Sequence, residues 1–154
     1  MNINNILIVD TETTGLDMEA GAQIIEVAAI LYNVQHRTIV QQFSTLCAVD
    51  ENPQYKINKV NSNATDIEAK HFIYSLNMLE SLIKTSDVII AHNAEFDKKF
   101  LCNWAANFGF NDKQWVCSCY DFEWPDMPKS KRLVDICLEL GVPVVSAHRA
   151  LTDC

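Results

Sequence analysis

The chain has 154 residues, 49% of them hydrophobic, which is enough for one domain around a single core. Four Gly and four Pro exclude long linkers or disordered tracts, and a net charge of −8 excludes nucleic-acid binding by basic charge alone. The opening "MNINNILIVD" lacks the pattern of a signal peptide, and no run approaches a membrane span, so a cytoplasmic protein with no membrane partner is expected.

Residues 3–9 (INNILIV) are a short apolar run that predicts a buried strand. A polar turn with Gly15 follows. Residues 23–33 and 37–47 are rich in Ile and Val and separated by a short "NVQHR" stretch, which predicts an antiparallel hairpin. Residues 49–64 carry Asn52-Pro53 and several more Asn, and read as loop. From about Thr65 the pattern becomes helical, with Phe72, Ile73, Leu76, Leu79, Leu82 and Ile83 on one stripe. "DVIIA" (87–91) predicts a further buried strand. A second long helix is expected over 94–108, where Phe96, Phe100, Trp104 and Phe108 step by four before Gly109. "QWVCSC" (114–119) reads as a strand, with Cys117 and Cys119 on one side, and "EWPDMPKS" as a Pro-containing loop. "KRLVDICLEL" predicts a last long helix, ended by Gly141 and Pro143. Three strands followed by helix, strand, helix, strand and helix make an α/β domain with a mixed sheet. The six cysteines contain no Cys-x-x-Cys pair, and read as buried thiols of a reducing compartment.

The acids fall at element ends. In "ILIVDTETTGLD", Asp10 and Glu12 stand two apart at the carboxyl end of the first strand, so both point to one face. Ligands of open α/β sheets collect at such ends. Two carboxylates so close repel unless a positive charge lies between them, and a hard divalent cation suits that place. In "IIAHNAEFDKKFL", Asp97 lies early in a helix, with Leu101 and Ala105 at i+4 and i+8. It therefore looks toward the sheet, at the same edge as Asp10. In the final "SAHRALTDC", His148 and Asp153 would point about 140° apart on a continuous helix. They converge only if His148 sits at or before the helix start, for which Ser146 is a reasonable N-cap.

Taken together, Asp-x-Glu at a strand end, "HNAEFD" before a helix and "HRALTD" near the end resemble the three motifs of the DEDDh 3′–5′ exonucleases, the DnaQ-like group. The resemblance covers nearly the whole chain, including "KSKRLVDICLELGV". It implies a ribonuclease H-like α/β fold: a mixed five-stranded sheet, its second strand antiparallel, with helices on both faces. It implies that Asp10, Glu12, Asp97 and Asp153 bind two divalent metal ions, Mg²⁺ or Mn²⁺, and that His148 is the general base. Two metals roughly 4 Å apart can stabilise charge and leaving group in phosphodiester hydrolysis. A histidine of ordinary pKa, about 6.5, can take the proton of the attacking water. Metals also reverse the local charge, so an acidic site is no obstacle to a nucleic-acid substrate. The resemblance further implies contacts to the terminal nucleotide from Thr13, Leu16, Asn93 and Phe96, an arrangement suited to a splayed single-stranded 3′ end. Phe96 reads equally well as a core residue, because it starts the apolar stripe.

The expected activity is thus release of nucleoside monophosphates from a 3′ end, with single-stranded DNA as first substrate, RNA as the alternative, and a larger nucleic-acid-processing complex as a setting. The competing expectation is a nucleic-acid-binding or scaffold domain of the same fold with weak or no turnover. A phospho-accepting receiver domain ranks lower, since it gives His148 no role. Glu26, in the middle of an apolar strand, is read as a structural hydrogen-bonding residue or an outward-facing one. Asp135 is read as a surface helix residue, Lys129, Lys131 and Arg132 as a solvated basic cluster, and Trp115 and Trp124 as core. Family members continue past the final Asp in a further helix, whereas one residue follows here. The chain is accordingly read as a single exonuclease domain, 1–154, without that helix: a shortened form of a longer protein, or one whose last metal ligand is loosely held.

Overall fold

The computed structural model describes residues 3–68, 72–124 and 130–154. Its centre is a five-stranded sheet built from β1 (Asn5–Thr13), β2 (Ile24–Asn33), β3 (Thr38–Leu46), β4 (Val88–Ala91) and β5 (Gln114–Cys117), in the order β3-β2-β1-β4-β5. β1, β2 and β3 are successively antiparallel, while β4 runs parallel to β1 and β5 parallel to β4. The expected mixed sheet with an antiparallel second strand is therefore present.

β1 is longer than its apolar run suggests. Pairing with β2 carries it through Asp10 and Glu12 to Thr13, so the acids lie within the strand. Its alternation sorts side chains between two faces. Leu7 and Val9 point into a core shared with Val27, Ala29 and Leu31 of β2, Leu79 and Ile83 of α3 (Phe72–Thr85), and Phe100 and Leu101 of α4 (Ala94–Trp104). Asp10 and Glu12 point to the other face. That face carries α6 (Ala150–Asp153), and Leu133 of α5 (Leu133–Glu139) shares a cavity there with Ile6, Ile8 and Ile90. Helices thus cover both faces.

The segment 49–64 is not all loop. It contains α1 (Tyr55–Asn58) and the start of α2 (Ser62–Glu68). Its asparagines order it by bonding locally to backbone. Asn52 accepts the Gln54 amide at 3.0 Å and donates to Asn58 Oδ1 at 2.8 Å and to the Val60 carbonyl at 2.6 Å. Asn58 is fully buried, accepts the Val60 amide at 3.1 Å and donates to the Thr13 carbonyl at 3.4 Å, which props the end of β1.

Other bounds shift for identifiable reasons. α4 ends at Trp104 and gives way to a tight 3₁₀ turn at Ala106–Phe108, with Gly109 left-handed (φ 89°) as the stop. β5 ends at Cys117 because Asp121 Oδ2 takes the Cys117 amide at 2.8 Å, so Cys119 belongs to the following turn and does not alternate with Cys117 along a strand. α5 is shorter than the ten residues expected and stops before Gly141. Within the expected loop 123–130, residues 125–129 lie outside the described residues, as does Lys129 of the basic cluster, and nothing is described for the Phe72 and Ile73 side chains. Trp115 packs on the core and donates its ring N–H to the Phe110 carbonyl at 3.0 Å, and Trp124 is partly buried, donating to the Ser118 carbonyl at 2.8 Å. No helix among the described residues is long and apolar enough to cross a membrane.

Candidate active site

The parallel β1–β4 pair sets Ile8 beside Ile90, so Asp10, still within β1, and His92, just past the end of β4, lie at one edge. After β4 the chain turns sharply: Asn93 is left-handed (φ 65°) and exposed, and α4 begins at Ala94. This turn brings Asp97, only 2% exposed, against β1, where its Oδ1 accepts the Thr11 hydroxyl at 2.8 Å. Thr11, on the face opposite Asp10, thus tethers the helix that carries Asp97.

The final segment arrives from the other side. His148 is left-handed (φ 63°) and precedes α6, as convergence with Asp153 requires. Ser146 is not the cap: the residue before the helix is Arg149. The His148 amide donates to Asp153 Oδ2 at 2.9 Å and closes a ring over the turn. Glu12, His148 and Asp153 each present a ligand atom within 4.8 Å of the others. Beside them Asp10, His92, Arg132, Leu133, Val134, Ala147, His148 and Asp153 line a cavity of about 590 Å³, within the range of small-molecule sites.

Burial raises all four carboxylates, and Asp10 and Glu12 also feel their acidic neighbours. Burial raises Asp10 well above the ordinary carboxylate range, and the charges of Asp97, Glu12 and Asp153 raise it further. Glu12 is pushed to about 7 by burial and then by Asp153 and Glu26, against the lowering effect of Arg149. Asp97 is raised to about 7 by burial, opposed by the hydrogen bonds from Thr11. Asp153 is raised by burial, opposed by the His148 amide. Burial is the main cause in every case, and a hard divalent ion fits such a set of clustered, partly buried oxygen donors.

Glu26 is the structural hydrogen-bonding residue of the two readings its strand allowed. It is 2% exposed and pairs directly with Glu12 across the β1–β2 ladder. Its two oxygens accept Arg149 Nη2 at 2.8 Å and Nε at 2.9 Å, and Oε2 also accepts the Ala150 amide at 3.3 Å. The turn that bears Asp153 is tied to β2 by this carboxylate, against the alternative that this ligand is loosely held.

The residues expected at the substrate are more scattered. Leu16 is 85% exposed at the lip of an open groove of about 460 Å³ shared with Thr14, Gly15, Ala22 and Pro53. Thr13 is buried, and its hydroxyl donates to the Gly15 carbonyl at 2.6 Å. Phe96 is half-buried and packs on the core beside Phe100, ring centroids 4.9 Å apart. His92 was not singled out by its neighbours in sequence. Its ring bridges Ser118 Oγ at 3.0 Å and the Lys131 carbonyl at 2.8 Å, joining β4 to the approach of α5. Arg132 is paired with Asp135 through Nε at 2.7 Å, and Lys131 lies 4.7 Å over the Tyr120 ring.

Comparison with known proteins agrees with this geometry. An exonuclease family model (RNase_T) matches residues 7–154. The epsilon subunit of DNA polymerase III from Treponema pallidum (strain Nichols) is 32% identical over 154 residues, covering 94% of this chain and 68% of its own length. A PolC-type DNA polymerase III from Thermotoga petrophila is 31% identical, but the chain spans only 11% of it. Among solved structures, the nuclease domain of 3′hExo, a DEDDh family member bound to rAMP, superposes with a TM-score of 0.75 at 18% identity, covering 98% of this chain and 86% of that one. E. coli exonuclease I bound to a dT13 oligonucleotide gives 0.75 at 18% identity, over 97% of this chain and 38% of that one. A mixed sheet with helices on both faces, acids gathered at its edge and a match along almost the entire length converge on one assignment: the chain belongs to the RNase_T exonuclease family, with a ribonuclease H-like fold.

Proposed function

We propose that the chain is a divalent-metal-dependent 3′–5′ exonuclease that releases nucleoside monophosphates. In this reading Asp10, Glu12, Asp97 and Asp153 hold two metal ions and His148 is the general base. The observation that carries it is the convergence of four carboxylates from β1, α4 and α6, all with raised proton affinity, around one sheet edge. When bound, Mg²⁺ or Mn²⁺ supplies charge stabilisation at the phosphate and leaving oxygen. His148 stands exposed at the cavity rim, where its imidazole takes the proton of the attacking water. Asp153 fixes the His148 backbone, which holds the start of its side chain beside the carboxylate. Asp97, tethered by Thr11, holds the opposite wall.

The open groove beside Leu16 and the free side of Phe96 offer an apolar wedge and an aromatic surface to a splayed 3′ nucleotide, with Asn93 exposed between strand and helix and Thr13 shaping the turn before Leu16. Single-stranded DNA is the first candidate substrate and RNA the second. Likeness to a polymerase III epsilon subunit favours a replicative polymerase as partner. Free Cys47, Cys102, Cys117, Cys119, Cys137 and Cys154 suit the reducing cytoplasm.

The test is degradation of 5′-labelled single-stranded DNA and RNA with Mg²⁺ or Mn²⁺. A ladder shortening from the 3′ end, abolished in a folded Asp10→Ala variant, is expected. Activity that survives Asp10→Ala overturns the metal assignment, and a folded wild-type chain that binds DNA without cutting it points to the scaffold alternative.

A further inference from the structure

Glu26 takes no part in the chemistry proposed above, yet it is among the most deeply buried charged side chains described, and its side-chain hydrogen bonds go to one place. Two are the parallel bonds from Arg149, at 2.8 and 2.9 Å, and the third is the Ala150 amide at 3.3 Å. Arg149 and Ala150 are the residue before α6 and its first residue. A helix of four residues has no stability of its own, and its leading amides lack partners within it. No side chain of the segment caps it. Glu26 does so from 124 positions away along the chain, as a charged acceptor that also fixes the side chain just outside the helix.

What the clamp holds is specific. Arg149 follows His148, whose amide closes onto Asp153. Ala150 is fully buried and anchors the same turn. At the other end, Glu26 pairs with Glu12 across β1 and β2. The path from Glu12 through Glu26 and Arg149 to His148 and Asp153 therefore uses one ladder pair and one two-pronged ion pair. Both have fixed geometry, the second because guanidinium and carboxylate meet fork to fork.

We infer that the Glu26–Arg149 pair is a positioning device for the exonuclease site: it sets the His148–Asp153 ring against Glu12. Removing it leaves the sheet intact and the ring misplaced. Lysine at 149 keeps the charge but not the fork, so it does not replace arginine here. The inference rests on the function proposed above for its catalytic consequence, but not for its structural one.

The experiment compares wild type, Glu26→Gln, Arg149→Lys and Arg149→Ala by three measurements. Amide hydrogen exchange is followed at Ala150, Asp153 and Cys154 against Leu7 and Ile89 in the sheet, and Mn²⁺ binding by calorimetry. Values of kcat and KM are measured on a single-stranded DNA oligonucleotide. Exchange in the α6 turn is expected to rise by at least about tenfold with sheet amides unchanged. Mn²⁺ affinity and kcat are expected to fall roughly 10- to 100-fold, with KM for DNA within about twofold. Methylguanidinium added to Arg149→Ala is expected to restore part of kcat. Wild-type exchange and kcat in folded Glu26→Gln and Arg149→Lys would overturn the inference. So would loss of protection spread evenly over the sheet with no rescue by methylguanidinium, which marks a general structural role. If wild type cuts no oligonucleotide, the proposed function fails, while exchange and Mn²⁺ binding still decide this inference.

Discussion

Glu12 and Glu26 stand directly opposite each other on antiparallel β1 and β2, two acids where like charges ordinarily destabilise a ladder. Arg149 eases the conflict: it pairs with Glu26 through both prongs, and its charge opposes part of the rise at Glu12. The two acids thereby take different roles, one committed to Arg149 and one left facing the candidate metal site.

That division makes the pair asymmetric. Arg149→Met leaves a buried carboxylate with only the Ala150 amide as partner, and should cost about 2 kcal/mol in denaturant unfolding, less than a fully buried pair because Arg149 is 43% exposed. Adding Glu26→Leu to Arg149→Met should recover part of that loss, since an apolar pair no longer strands a charge. A double variant less stable than Arg149→Met would contradict the account.

The metal-free protein should lose stability as pH rises from about 4 to 8. Glu12 and Asp97 both carry folded values near 7, above their unfolded ones, and Asp10 and Asp153 are also raised. Between unfolded and folded values the native state holds more protons, so stability is full below the unfolded values and falls as pH passes through the folded ones. Thermal melting in EDTA at pH 5 and pH 8 should show the higher midpoint at pH 5. Saturating Mn²⁺ should raise the pH 8 midpoint most, because it binds the ionised carboxylates.

Asp97→Asn separates stability from activity. The amide keeps an acceptor for the Thr11 hydroxyl and removes a buried charge. The metal-free variant should melt above wild type at pH 8, while turnover falls on the order of 100-fold or more. A variant that melts lower and still turns over would reverse the reading of this residue.

Leu16→Ala should leave unfolding within about 0.5 kcal/mol, since the side chain is 85% exposed. If Leu16 wedges against a terminal base, losing about 1.4 kcal/mol of apolar burial raises KM for the oligonucleotide roughly tenfold. An unchanged KM would remove Leu16 from the substrate surface.

Much of the site is legible in sequence because its acids sit where periodicity speaks. Asp10 and Glu12 share a face through a strand repeat, Asp97 sits beside a helical stripe, and His148 must precede α6 to meet Asp153, as it does. Glu26 shows the limit. Its position in an apolar strand marks a buried acid, but its partner lies 123 residues away, and no local pattern names it. Thr11 and Asn58 are similar: each is an ordinary polar residue until a bond to Asp97 or to the Thr13 carbonyl gives it a task. The Asn-rich stretch before α2 reads as loop because asparagine is a weak helix former, yet its amides supply the backbone partners that make short helices there.

The long reach of the Glu26 clamp also orders events in time. α6 is too short to form before it docks, and closing a loop of 123 residues is entropically costly until the sheet has drawn its ends together. The strands, whose hairpin contacts are local, are then the early structure, and the His148–Asp153 turn is a late arrival on a nearly finished framework. A partly folded chain would carry the sheet and most of the core while lacking the ability to cut, so activity during refolding should lag behind the return of strand structure.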